Sequence, residues 1–244
     1  MFEKRIVIAA AHPDDETIGL GGQLASMHDV TLVHLTDGAP RSRPDWKDYA
    51  RVRRVELLAA AAIAGIPEDR CIEIGVADQE ASRHLVELSC QLSRVFEDLG
   101  PAMIFTHPYE GGHPDHDAAA FAVHHATHSA ELWEFSSYHR RPLSAEIETG
   151  CFLGSQEKNV TLELSPRQRA LKQRMLDCFV SQRDALHWFR IEDECIRRAP
   201  EYDFTQPAHV GRLFYESYDW GLNSSEWVRL ARRADRMIGP CLSR

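Results

Sequence analysis

A mixed α/β fold is predicted by three observations in the first 140 residues. Short apolar runs alternate with stretches of helical periodicity. The runs are apolar almost throughout rather than at every second position, which marks strands buried on both faces. Gly65, Gly75 and Gly100 fall where helices or strands should break. Together these predict a Rossmann-like three-layer sandwich with a mainly parallel sheet, plus a C-terminal elaboration.

Taken in order, the strands fall near residues 6–10, 30–35, 71–74, 103–105 and 132–136, with helices near 16–27, 46–64, 81–99 and 116–128. After Arg140 the pattern loosens. Residues 159–164 read as one further strand. Ser165-Pro166 is an N-cap and first-turn pair for a helix running to residue 182. Residues 186–227 read as irregular and rich in rings: Trp188, Phe189, Tyr202, Phe204, Phe214, Tyr215, Tyr218, Trp220 and Trp227. Such a segment can pack on the domain, line a site or meet another subunit; packing is the plainest reading. The 244 residues suit one domain, with a core over 1–140 and the elaboration over 141–244.

Bulk properties narrow the function. The composition is 43% hydrophobic and 27% charged, with a mean hydropathy of -0.38. No run approaches the ~20 apolar residues of a membrane helix. Strand-like sequence begins by Ile6, leaving no room for a signal peptide. A net charge of -9 argues against a nucleic-acid partner. Arg229, Arg232, Arg233 and Arg236 run against that balance and fit one solvated helix face. Cys71, Cys90, Cys151, Cys178, Cys195 and Cys241 form no CxxC pair and suggest neither a zinc knuckle nor a disulfide framework. Most are expected to be core thiols in a reducing, cytoplasmic setting.

The chemistry concentrates at two strand exits. Arg5–Ala11 leads into His12-Pro13-Asp14-Asp15-Glu16, and Ala102-Met103-Ile104-Phe105 leads towards His113-Pro114-Asp115-His116. In a doubly wound sheet of order 3-2-1-4-5, strands one and four flank the crevice where ligands bind. The two segments should therefore meet. Each reads as a helix start, with proline at the first position and acids facing the positive end of the dipole. Asp14, Asp15, Asp115 and Asp117 could serve only that purpose, but this leaves the histidines of both segments unexplained. Three side chains with one open position make a catalytic zinc-type site, and a neighbouring carboxylate can then act as base. Spacing does not say which histidine stays outside the metal shell.

The pairing of Ala-His-Pro-Asp-Asp-Glu with a later His-Pro-Asp-His resembles the PIG-L/LmbE-like zinc-dependent N-deacetylases, over the first two-thirds of the chain. The resemblance implies a hydrolase removing an N-acetyl group from an N-acetylated amino sugar or glycoside. It implies Zn2+, with Fe2+ as the alternative metal, held by His12, Asp15 and His116. Asp14 becomes the general base. His113 becomes the histidine that stabilises the oxyanion and protonates the amine, with Asp115 orienting it. Some members carry a tyrosine two residues before that histidine; here the position is Gly111, so either Tyr109 reaches in or the metal and His113 suffice. Arg53, in Arg53-Arg54-Val55-Glu56, matches a family pattern whose arginine contacts substrate; an exposed arginine–glutamate pair is the alternative. Homo-oligomers are common in the family, and the aromatic tail is compatible with one.

Other residues carry weaker signals. Arg41 and Arg43 could meet an anionic group on the substrate, or lie in a solvated loop. Asp78 could bind a sugar hydroxyl or serve a turn. Gly19-Leu20-Gly21-Gly22 lacks the full dinucleotide spacing and suits close helix–sheet packing. His124 and His128 read as structural or exposed. His107, His139, His187 and His209 carry no signal alone. An amidase acting on another acyl amide, such as a thiol conjugate or antibiotic intermediate, and a non-catalytic nucleotide-binding module are the rival readings.

Overall fold

The computed structural model describes residues 3–154 and 158–242. Strands β1 (Arg5–Ala10), β2 (Asp29–Pro40), β3 (Cys71–Asp78), β4 (Met103–Thr106) and β5 (Glu131–Phe135) alternate with helices α1 (Asp15–Leu24), α2 (Trp46–Ile63), α3 (Leu85–Leu99) and α4 (Pro114–Ala126). A hairpin follows, β6 (Tyr138–Arg140) with β7 (Ile147–Thr149). Then come β8 (Val160–Glu163), α5 (Pro166–Leu176), the short α6 (Arg183–Leu186), β9 (Asp193–Arg198) and α7 (Ser224–Leu242).

The main sheet has seven strands in the order β3-β2-β1-β4-β5-β9-β8. Its first five are mutually parallel, and β9 and then β8 extend it through antiparallel pairings. The strand order 3-2-1-4-5 expected from the sequence is thus present, and the fold is a three-layer α/β sandwich. Alternate residues of β1 explain the layers: Val7 and Ala9 enter the core shared with α3, α4 and α7, while Ile6 and Ile8 enter the core shared with α1, α2 and α5. From Ile6 to Ala10 every residue of β1 is buried, so the apolar run needs no polar alternation.

The glycine run within α1 is consumed by packing. A Cβ on Gly19 would lie 2.3 Å from the Phe135 ring, and one on Gly22 2.6 Å from Leu164. No phosphate cradle exists there, which removes the main support for a dinucleotide site.

Four expectations need correction. Residues 186–227 are not wholly irregular, because they contain β9 inside the sheet. The predicted helix to residue 182 ends at Leu176, where the chain turns to bury Phe179 and to place Ser181 on Glu56. The helix expected from residue 81 begins as a 3-10 turn, Ala81–Arg83, before α3. Cys90 is disulfide-bonded, although Cys71, Cys151, Cys178 and Cys195 are free thiols. Arg229, Arg232, Arg233 and Arg236 do lie together on α7, around a shallow surface groove. Among the described residues, no helix is long and apolar enough to cross a membrane.

Candidate active site

Strands β1 and β4 are neighbours, with Ile8 opposite Phe105, so the loops leaving their carboxyl ends meet. The end of β3 adds Asp78 from the side. His12 is the hub. Its Nδ1 lies 3.2 Å from Asp15 Oδ2, and its Nε2 lies 3.1 Å from both Asp78 Oδ1 and Asp115 Oδ2. His116 Nε2 sits 3.2 Å from Asp15 Oδ1. The His113 ring meets that of His12 edge-on, with centroids 4.5 Å apart. The two segments therefore converge, as their positions after strands one and four require.

Asp14 occupies a strained backbone conformation at φ 137°. Such a residue costs about 1–3 kcal/mol and persists only where its surroundings hold it. Here Glu16 accepts from the Asp14 amide at 3.2 Å, while His34 and the Thr17 hydroxyl fix Glu16 in turn. Arg53 donates to the Pro13 carbonyl at 2.6 Å and from both terminal nitrogens to Asp14 Oδ2 at 3.2 Å. Gly38 leaves room for this arginine: a Cβ there would lie 2.7 Å from its Nε. Arg53 is buried rather than part of an exposed pair, and its pattern partner Glu56 instead accepts from Ser181.

Electrostatics divide the groups. Burial pushes the Asp14 carboxyl up to about 7 against the pull of Arg53, with Asp15 reinforcing the rise. Burial opposes a charge on His12, but Asp78, Asp115 and Asp15 outweigh it and raise its pKa well above the usual imidazole value. Burial pushes His113 and His116 down to about 3, helped by His12 beside the former and His107 beside the latter. Asp15 is held well below the usual carboxylate range despite its burial, by His116 and His107.

The protonation state of His113 follows from its helix start. As N-cap of α4 its Nδ1 accepts from the Asp115 amide at 3.1 Å, so in the neutral ring the proton is on Nε2. The Asp115 carboxylate differs from expectation. Its Oδ2 is 3.9 Å from His113 but 3.1 Å from His12, and it also accepts from the Gln79 and Ala81 amides. Asp115 therefore ties the loop after β3 to His12 rather than orienting His113.

The donor set suits a zinc-type ion. Nitrogen and carboxylate donors of His12, His113 and His116 cluster within 4.8 Å, as do those of Asp15, His107 and His116, and those of His12, Asp78, His113 and Asp115. The trio His12, Asp15 and His116 spans these overlapping groups. A raised pKa on an imidazole ringed by carboxylates shows that the cluster favours positive charge at that spot. Mixed imidazole and carboxylate donors are those of catalytic zinc sites.

His107 is the residue that sequence reasoning passed over. It is fully buried, its Nε2 lies 3.3 Å from Asp15 Oδ2 and accepts from the Ala11 amide, and its ring stacks on His116 at 4.0 Å. The available signal was its place directly after β4, at the same strand-exit position that made His12 informative.

Other predicted residues fall as follows. Asp78 and Arg53 line a cavity of about 490 Å³ together with His12, Asp14, Asp15, His113 and His116. Arg41 does not line it; the side chain pairs with Asp37 and lies over the Trp46 ring, while Arg43 lines the cavity instead. Tyr109 does not reach in either, because its hydroxyl donates to the Gln206 carbonyl within a cluster of Tyr202, Phe204 and Trp227. Gly111 has a φ of +69°, and a Cβ there would lie 2.7 Å from Leu213, so no tyrosine fits at that position. Tyr138 fills the neighbourhood, its ring 5.3 Å from that of His116. His124 lies 3.8 Å from Glu134, and His128 is exposed.

Residues 7–127 match the PIG-L family, described as GlcNAc-PI de-N-acetylase. The chain carries a PIG-L domain. Its matched span starts in β1 and ends just after α4, so it holds both His-Pro-Asp segments. A 1D-myo-inositol 2-acetamido-2-deoxy-alpha-D-glucopyranoside deacetylase from Nocardioides sp. is 31% identical over 182 residues, covering 59% of each chain. The chain thus spans about half the length of the curated relatives it matches. A deacetylase–teicoplanin complex shares the fold at a TM-score of 0.58 and 16% identity, over 80% of this chain and 97% of that one. GalB, the 4-carboxy-2-hydroxymuconate hydratase from Pseudomonas putida KT2440, shares it at 0.59 and 14%, over 82% and 98%. Proteins with different named activities share this fold, so the chemistry must be argued from the site.

Proposed function

We propose that this PIG-L domain protein is a metal-dependent hydrolase that removes the acetyl group from an N-acetylated amino sugar or its glycoside. The observation that carries the reading is the convergence of the two His-Pro-Asp segments beside a buried carboxylate, Asp14, which Arg53 holds at the cavity wall. His12, Asp15 and His116 would hold the metal, zinc in the first instance. When bound, it supplies Lewis acidity at the acyl carbonyl and acidifies a water.

The chain's own groups do the rest. Asp14 takes a proton from the attacking water, a role suited to a carboxyl lifted to about 7. His113, neutral and carrying its proton on Nε2, donates a hydrogen bond to the oxygen that becomes negative as the carbonyl turns tetrahedral. With His113 Nδ1 accepting from the Asp115 amide, Asp14 returns its proton to the departing nitrogen. The C–N bond breaks, leaving acetate and a free amine. Arg53 and Asp115 act as positioning residues, through Asp14 and His12 respectively.

Acetate release from a panel of N-acetylglucosamine derivatives by the zinc-loaded protein tests the proposal, with a chelated sample as control. Turnover that disappears on chelation and returns with zinc is expected. A metal-loaded protein that releases no acetate from any sugar, yet hydrolyses a different acyl amide or hydrates an unsaturated acid, would overturn it.

A further inference from the structure

The rings of residues 186–227 fall into two populations. Tyr202, Phe204, Tyr215 and Trp227 close the core. The others face the catalytic cavity. Trp220 lies 4.5 Å from the His113 ring, and Tyr218 stacks almost parallel on Trp220 at 4.5 Å and 11°. Phe214 continues from Tyr218 at 5.0 Å to Tyr138, which links the His116 ring to Phe214 and Phe189 at 5.2 and 5.9 Å. Trp188 completes the lining. Trp188 is 53% exposed and Tyr218 44%, so neither ring is spent on the core. Both lie beyond the residues matched to the PIG-L family, so the common domain does not dictate them.

One end of the cavity is thus charged and hydrogen-bonding, and the wall leading from it is aromatic. Large rings left in water beside a reaction centre gain most when an apolar ligand covers them. A second sugar ring also stacks on aromatics, but its hydroxyls need partners; Thr149, Gln182 and Asp184 could serve some of them, whereas Leu186, Phe189 and Phe214 offer none. Resting on the deacetylase reading for the charged end, we propose that the aromatic wall is a subsite for a flat apolar aglycone. The preferred substrate is then an aryl or comparably apolar glycoside of the N-acetylated amino sugar, ahead of the free sugar or a polar conjugate.

Three probes test this on the zinc-loaded protein: phenyl N-acetylglucosaminide, N-acetylglucosamine and N,N'-diacetylchitobiose. Acetate release gives kcat/KM, and calorimetry on the Asp14→Asn variant gives Kd. The phenyl glycoside should exceed the free sugar about tenfold or more in both. Trp188→Ala and Tyr218→Ala should each shrink that ratio, and Trp188→Phe and Tyr218→Phe should keep most of it. A ratio near one, a ratio unmoved by both alanine variants, or a preference for diacetylchitobiose over the phenyl glycoside overturns the subsite. Acetate release without phenyl preference leaves the reaction standing and removes the subsite. Phenyl preference in binding with no acetate from any probe does the reverse.

Discussion

Asp14 combines a positive φ, burial and a guanidinium partner, and each has a chemical consequence. The strained backbone turns its carboxylate away from the helix-start role that the sequence equally allowed, and towards Arg53. Burial raises its pKa and Arg53 lowers it, so the arginine sets how much of this proposed base is ionised at a given pH. Removing that cation lifts the carboxyl further. In Arg53→Met the acid limb of the kcat/KM profile should move to higher pH by about one unit or more, and Arg53→Lys should restore part of the shift. An unmoved limb would show that Arg53 does not act through Asp14. At this scale the sequence was legible where residue type and spacing carry chemistry, as in both His-Pro-Asp segments. It misled where a partner comes from a distant loop. The Asp115 carboxylate faces His12 because the Gln79 and Ala81 amides draw it there, and nothing near Asp115 in the chain announces those amides.

Among the elements, α1, α5 and β9 are joined by one buried ion pair. Lys172 Nζ lies 2.9 Å from Glu194 Oε1 and donates to the Ile18 carbonyl, while Gly22 donates its amide to the same carboxylate oxygen. Lys172→Met alone leaves Glu194 without its cation and should cost about 3–5 kcal/mol in urea unfolding; Lys172→Met combined with Glu194→Gln should recover much of that loss. Equal losses in the single and double variants would show that the pair is not coupled. The same pairing explains why β9 was hidden. Its sequence, Asp-Glu-Cys-Ile-Arg-Arg, reads as a surface stretch, yet Glu194 is paired inside and Arg197 lies on Glu134 at 2.7 Å. Charges that neutralise one another across elements erase the apolar signature on which strand prediction depends. By contrast, β1 and β4 were legible because both their faces are apolar. Close helix–sheet packing at Gly19 gives a second check: Gly19→Ala drives a methyl into the Phe135 ring and should cost about 1–3 kcal/mol by the same measurement. A neutral result would mean that α1 does not press on β5 there.

For the whole molecule, the sheet order 3-2-1-4-5 does the decisive work, because it makes neighbours of two loops about a hundred residues apart in the chain. The matched family span supplies those loops, and the rest of the chain supplies the sheet edge and the aromatic wall. His12, raised in pKa by its carboxylates, has to lose its proton to bind a metal, so acidification should strip the ion as protons compete for the site. Zinc retained per chain, followed by dialysis across falling pH, checks this; retention unchanged into the range where free imidazole is protonated would remove His12 from the ligand set. The most direct test of the central claim pairs metal content with acetate release in Asp14→Asn. One zinc per chain should remain while turnover falls by about 10²–10⁴. A variant that loses its zinc, or keeps its turnover with zinc bound, would contradict the division of one segment into metal ligands and a separate base.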